Sequence, residues 1–241
     1  MNKQGKISWT NYTWNPIVGC SNDCWYCYAK RLAQRFPKNF PNDFEPTFYP
    51  DRLDQPTKVK KPSKIFVCSV SDLFAPWTRD KWREAVLRTI EECPVKHTFQ
   101  LLTKQPQEID KKYKFPDNVW VGATVNLQSE ISKIEEMKKV KAKVKFISFE
   151  PLLGKIDADL SGIDWVIIGK LTGSKKVELE RDWVKAIVKE VNRQKIPLFL
   201  KNNLYPFCWW MEKRQEFPRV PCESYPAILW AGYGDTFKER I

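Results

Sequence analysis

Short apolar runs alternate with helical or polar stretches along most of this chain. Ile65-Phe66-Val67-Cys68-Ser69-Val70 is one such run, and Asp80 to Cys93 follows it with helical spacing. Phe99-Gln100-Leu101-Leu102 comes next, then Val119-Trp120-Val121-Gly122-Ala123 with a helical pattern from about Ser129 to Val140. Val144–Phe149 and Trp165–Gly169 are two more runs, a helical pattern spans Arg181 to Gln194, and Pro197-Leu198-Phe199-Leu200 closes the series. With the segment before Cys20 there are seven candidate strands. Strands apolar on both faces, separated by helices, read as a parallel sheet in an α/β fold. The pattern predicts a partial (β/α) TIM-like barrel of about six parallel strands. A flat doubly wound sheet is the alternative, although no glycine-rich phosphate turn supports a dinucleotide site.

What ends each run is polar: Ser69, Ser71 and Asp72; Thr103 and Lys104; Thr124 and Asn126; Ser148 and Glu150; Lys170; Lys201 with Asn202 and Asn203. Polar residues end many strands, so each alone says little. In a parallel barrel, however, the C-terminal strand ends share one mouth, where active sites are built. Proline after Glu150 restricts the backbone of that glutamate.

Three cysteines, Cys20, Cys24 and Cys27, sit at the end of the first candidate strand with three and then two residues between them. Three thiolates on one loop can hold three irons of a cubane [4Fe–4S] cluster and leave the fourth iron open to a small molecule. A structural zinc site would want a fourth Cys or His. The one histidine, His97, is far away in sequence. A disulfide across two residues would be strained.

The spacing, with Tyr26 between the second and third cysteines, resembles the Cys-x3-Cys-x-aromatic-Cys signature of the radical S-adenosylmethionine (SAM) superfamily. The wider wording Thr13-Trp14-Asn15-Pro16-Ile17-Val18-Gly19-Cys20 through Cys27-Tyr28-Ala29 resembles a compact, phage-associated branch called three-cysteine-motif partners. Ser69-Val70-Ser71-Asp72-Leu73-Phe74, Leu101-Leu102-Thr103-Lys104 and Ser148-Phe149-Glu150-Pro151-Leu152-Leu153 match that branch in order. The resemblance covers roughly residues 8–203. It implies that Cys20, Cys24 and Cys27 bind the cluster, whose open iron takes the amine and carboxylate of SAM. One-electron cleavage of the sulfonium would then give a radical that takes hydrogen from an unactivated carbon. Around the cofactor it implies Tyr26, with Ser69, Ser71 and Asp72 on the SAM amine, Thr124, Asn126, Ser148 and Glu150 at the ribose and carboxylate, and Gly169. One loop departs from the branch: where relatives tend to show Gly-Gly-Glu-Ser-Gly, this chain has Gly169-Lys170-Leu171-Thr172-Gly173. A carboxylate is missing there, which favours an anionic group nearby and a different substrate.

The chain of 241 residues suits one domain. Its core spans 8–203, and residues 30–64 form an irregular insertion dense in proline and aromatics. Residues 204–241 form an aromatic-rich cap holding Trp209, Trp210, Tyr225 and Trp230 with Cys208 and Cys222. Lys30, Arg31 and Arg35 fall on a short helix leaving the cysteine loop. Cys68 and Cys93 read as small core residues. No apolar run is long enough to span a membrane and no signal segment opens the chain. Both point to the cytoplasm, where thiols stay reduced.

The formal net charge is +12, and residues 1–64 carry eleven Lys and Arg against five Asp and Glu. A surplus of that kind steers a polyanion toward the stretch that also holds the cysteines. Lys104, Lys170, Lys201, Arg31 and Arg35 are the candidates for holding an anionic substrate. The expected function is C–H functionalisation of a nucleic-acid substrate, foremost a nucleoside in tRNA and in one form C-methylation by a transferase, with an external electron donor. DNA-lesion repair and protein modification are alternatives with the same chemistry. A zinc-bearing nucleic-acid-binding module without catalysis is the alternative from another class. One histidine and no Ser-His or Cys-His set agree with radical rather than acid–base chemistry.

Overall fold

The computed structural model describes residues 1–3, 7–173, 177–205, 207 and 211–219. In chain order the elements are β1 (Asn2–Lys3), β2 (Tyr12–Trp14), β3 (Ile17–Val18), α1 (Tyr28–Arg35), β4 (Thr47–Phe48), β5 (Lys64–Val67), α2 (Asp80–Glu92) and β6 (Thr98–Thr103). They continue as β7 (Val119–Thr124), α3 (Ser132–Lys138), β8 (Val144–Phe149), β9 (Trp165–Ile168), α4 (Arg181–Arg193) and β10 (Leu198–Leu200). The main sheet runs β1-β2-β5-β6-β7-β8-β9-β10. Its seven strands from β2 to β10 are all parallel, against the six or so expected. The antiparallel strand β1 and the small β3–β4 pair were not expected, being two residues long and without pattern.

The sheet curls. The indole of Trp9 lies 4.6 Å from the ring of Phe66 on β5 and 6.2 Å from that of Trp165 on β9. Those strands are four apart, and a flat sheet would separate them by about 19 Å. This removes the flat alternative. The concave face packs Phe66, Trp120, Phe146, Trp165 and Phe199 around Trp9. Alternate residues of the same strands, Ile65, Val67, Leu101, Val121, Ile147 and Val166, face Val86, Ile90, Ile134, Met137, Val184 and Ile187 of the helices. Fully burying one such side chain contributes about 1.5–3 kcal/mol.

Along each strand the concave face then thins toward the C-terminal end. Trp120 gives way to Gly122 and Thr124, Phe146 to Ser148, and Trp165 to Ile167 and Gly169. The N-terminal end of the strands is filled with rings and the C-terminal end is lined by small and polar groups. A Cβ on Gly122 would come within 2.5 Å of the Phe146 ring, so that ring depends on the missing side chain.

Both sheet edges are covered. β1 lies antiparallel on β2. At the far side the main chain of Leu200 donates to Arg214 at 2.8 Å and that of Glu216 to Leu198 at 2.9 Å. Phe217 then packs against Trp165 and Phe199, and Lys64 Nζ stands 4.3 Å from the centre of its ring. This part of the expected cap is aromatic and closes the base of the barrel. Trp209, Trp210, Tyr225, Trp230, Cys208 and Cys222 lie outside the described residues.

Besides β4, the segment between α1 and β5 holds three short 3-10 turns, each with a proline in its first two positions. It is pinned by the Trp14 indole, which donates to the Arg52 carbonyl at 2.7 Å, and by Phe48 stacked on Trp82. His97 is fully buried and pins it again: Nδ1 accepts from the Ser63 N–H and Nε2 faces the Pro56 carbonyl, both at 3.1 Å. Cys68 and Cys93 are buried among apolar neighbours. Among the described residues no helix is long and apolar enough to cross a membrane.

Gly122→Val is expected to cost about 1–3 kcal/mol of stability through overpacking, read as a lower denaturant midpoint. Burial holds the His97 imidazole below its usual pKa, so the native state favours the neutral ring. Its stabilising contribution is complete above about pH 6.5 and is lost as the pH falls below that value. The midpoint should therefore drop between about pH 8 and about pH 5, and His97→Gln should flatten that dependence.

Candidate active site

The cysteine loop leaves β3 through Gly19, whose φ is +95° and whose absent Cβ would lie 2.3 Å from the Glu45 carbonyl oxygen. Glycine alone fits that backbone and that approach. The loop is held by Gly19 N–H on Val70 O at 3.1 Å, Cys20 N–H on Phe44 O at 3.0 Å and Cys27 N–H on Cys24 O at 2.9 Å. Cys27 caps α1, its sulfur accepting from the Lys30 N–H at 3.3 Å. All three thiols are partly exposed. Each thiolate would feel the next: burial above all pushes Cys20 up to about 11, and Cys24 and Cys27 add to the shift. Burial also raises Cys24, against the nearby charge of Lys104. Metal binding must therefore displace thiol protons here. Among the described residues no three His, Cys, Asp or Glu side chains converge on a single-ion site.

Beneath the loop lies Asp72, 3% exposed. One carboxylate accepts from Thr103 Oγ1 at 2.7 Å, the Lys104 N–H at 2.9 Å, the Phe74 N–H at 3.2 Å and Asn22 Nδ2 at 3.4 Å. Gln105 Nε2 donates to Asn22 Oδ1 at 2.8 Å. The end of β6 and the cysteine loop thus hang on one buried acid. Burial raises its pKa although these donors oppose the shift. Ser69 Oγ donates to Asn15 Oδ1 at 3.1 Å and Ser71 Oγ to the Gly19 carbonyl at 2.7 Å. With their protons committed to Asn15 and to Gly19, both hydroxyls are left as acceptors, which suits an ammonium group.

Beside them Tyr26, Lys104 and Asn126 form a second knot. The Tyr26 hydroxyl donates to Asn126 Oδ1 at 2.5 Å, and Lys104 Nζ donates to Tyr26 Oη at 2.9 Å and to Asn126 Oδ1 at 3.2 Å. Asn126 Nδ2 reaches the Pro151 carbonyl at 2.7 Å. Burial raises Tyr26 and lowers Lys104, with Cys24 and Glu130 pulling the lysine back. Burial works against ionising Glu130, but Lys133 and the Asn126 N–H outweigh it and hold that carboxyl below its usual range. Thr124 and Ser148 are buried register partners on β7 and β8.

A third group stands across the mouth. Glu150 pairs with Lys201, and a Cβ on Gly169 would come within 3.0 Å of both side chains. Asn203 Nδ2 donates to the Lys170 carbonyl at 2.6 Å, and Lys170 Nζ stands 5.5 Å from the Phe207 ring centre. Tyr28 joins the two sides, donating to the Ser69 carbonyl at 2.5 Å within electrostatic range of Cys27 and Glu150. Arg31 donates to the Thr172 carbonyl at 3.1 Å, and Arg35 lies over the Phe36 ring on the outer side of α1. The other expected residues thus gather round one mouth, with Arg31 at its rim, whereas Arg35 lies at the far end of α1 against Phe36. Asn22, Gln105 and Glu130 were missed. Only the adjacency of Asn22 to Cys24 and of Gln105 to Lys104 could have signalled the first two.

These elements define an α/β half-barrel protein with a three-thiol loop at its C-terminal mouth. By sequence the chain belongs to the family described as "Protein of unknown function (DUF5131)", whose model matches residues 4–215. No curated protein matches it. In fold it is similar to a mutant spore photoproduct lyase with bound AdoMet and dinucleoside spore photoproduct: TM-score 0.51, 12% identity, covering 78% of this chain and 62% of that one. A second mutant of that lyase, with dinucleoside spore photoproduct, gives TM-score 0.50 and 12% identity over 80% of this chain and 64% of that one. The chain thus spans less than two thirds of these structures.

Asp72→Asn would set an NH2 group against an N–H donor, and should cost about 1–3 kcal/mol. The expected sign is a lower denaturant midpoint together with faster alkylation of Cys20, as the loop loses its anchor.

Proposed function

We propose that this protein is a radical SAM enzyme acting on nucleic acid. The observation that carries the reading is the set of Cys20, Cys24 and Cys27, three mutually interacting thiols on one glycine-led loop at the mouth of a half-barrel. A cubane spreads three thiolates over three irons. A zinc ion instead gathers four ligands at about 2.0–2.3 Å. His97, the chain's one histidine, is engaged with main chain elsewhere. The donor set therefore fits a cluster better than a single zinc.

Cys20, Cys24 and Cys27 would hold the cluster. Ser69 and Ser71 would accept from the SAM amine, Asp72 would fix their segment, and Thr124, Asn126, Ser148 and Glu150 would line the remaining cofactor surface. Together the two cofactors supply a carbon radical by one-electron cleavage of the sulfonium, which can take hydrogen from an unactivated C–H bond. Lys104 has neutral hydrogen-bond partners in Tyr26 and Asn126, and its buried charge favours an anion beside it. Lys170 and Lys201 would meet an anionic part of the substrate. An external donor supplies the electron.

Two substrates fit. A nucleoside in tRNA rests on basic charge and on the resemblance of the cysteine motif. A linked dinucleotide in DNA is supported as well by the fold similarity to the lyase with bound dinucleoside spore photoproduct. We place the DNA reading first.

Anaerobic reconstitution should give a brown protein with about four irons that cleaves SAM on reduction. Cys24→Ala should lose the absorbance and the cleavage while keeping its far-UV spectrum. A colourless wild type holding one zinc would overturn the enzyme reading. Incubation with dinucleotide-lesion DNA and with tRNA, followed by nucleoside mass spectrometry, separates the two substrates.

A further inference from the structure

Among the described residues five large apolar side chains stand exposed, and four of them fall between residues 25 and 36: Trp25 at 50%, Tyr28 at 43%, Leu32 at 39% and Phe36 at 45%. Clustered exposure of this kind marks an interaction surface rather than scattered surface residues. On α1, Ala29 and Ala33 face inward, while Tyr28, Leu32 and the capping Phe36 form an outer row at four-residue spacing. Trp25 extends that row onto the cysteine loop. Arg31 and Arg35 form a parallel row beside it.

The helix carries Lys30, Arg31 and Arg35 and no acid. Lys30 is paired with Asp23. Arg31 donates to a neutral carbonyl and Arg35 lies 5.3 Å from the centre of the Phe36 ring, so among the described residues neither charge is met by a carboxylate. The two rows are also joined to the mouth. Arg31 bonds to Thr172 just past β9, and Tyr28 bonds to Ser69 just past β5. A ligand lying along α1 therefore ends beside the cysteines.

We propose that the outer face of α1 is a stacking platform for unpaired nucleotides of the nucleic-acid substrate. Bases lie on Trp25, Tyr28 and Phe36, and phosphates meet Arg31 and Arg35. Rings beside cations suit single strands, because every base has a face to stack and every nucleotide a phosphate. The double-helical parts of a substrate hide their bases and gain only the charge. The platform thus selects a locally unpaired site and leads it to the mouth. This inference rests on the nucleic-acid reading above.

The test is fluorescence anisotropy of the full chain with a labelled single-stranded oligonucleotide and its duplex, at several salt concentrations. The single strand should bind more tightly. Phe36→Ala should weaken it about tenfold or more and Phe36→Trp should restore it. Arg31→Gln with Arg35→Gln should lower the salt dependence by about one to one and a half in slope. SAM cleavage driven by a chemical reductant should be unchanged in Phe36→Ala. If the wild type binds single strands and the Phe36 and arginine variants bind equally well, the platform is wrong and the nucleic-acid reading stands. If no oligonucleotide binds the wild type, both fall. If the variants instead slow only SAM cleavage driven by an acidic electron-transfer protein, the face belongs to that donor and the platform is overturned.

Discussion

A single buried carboxylate holds the mouth of this protein together. Asp72 ties the end of β6 to the cysteine loop through Thr103, Lys104 and Asn22. Desolvation opposes an ion at this depth, so the acid is stable only because four donors surround it. Its neighbour Ser71 fastens the same loop at Gly19, and Ser69 fastens the β2–β3 connection at Asn15. Position, rather than intrinsic reactivity, is what these residues supply. The chemistry would come from groups that the loop is shaped to hold.

The barrel complements that arrangement by its gradient of side-chain size. Rings fill the base and make the curl, and the strand ends that follow are small or polar. Gly122 and Gly169 are where the gradient is steepest. One leaves space for the Phe146 ring and the other for the Glu150–Lys201 pair. Neither can carry a side chain without moving what it shelters.

The parallel strands were legible because each is a short, doubly apolar run, and Val166–Ile168 or Val144–Phe149 can hardly be read otherwise. Helices α2 and α4 showed their inward faces through Val86 and Ile90, and through Val184, Ile187 and Val191. The partial barrel was legible in the repeated strand-and-helix pattern, but not the means of its curl, which is one indole, Trp9, meeting rings from distant strands. At the site, Cys20, Cys24 and Cys27 announced themselves by spacing, and Lys104, Asn126 and Glu150 by their places at strand ends. Asn22, Gln105 and Glu130 did not, because a hydrogen bond between loops has no sequence period. The role of Asp72 as an anchor was hidden for the same reason: only its burial and its four donors reveal it.

The short strips of backbone laid along β2 and β10 have a bearing on how copies of this molecule can meet. Each occupies hydrogen-bonding groups that an open half-barrel would otherwise offer to a neighbouring chain. What remains at the β1 flank is an edge two residues long, too short to template much pairing. Among the described residues, then, a basic protein that gathers on a polyanion offers its neighbours short edges rather than long ones.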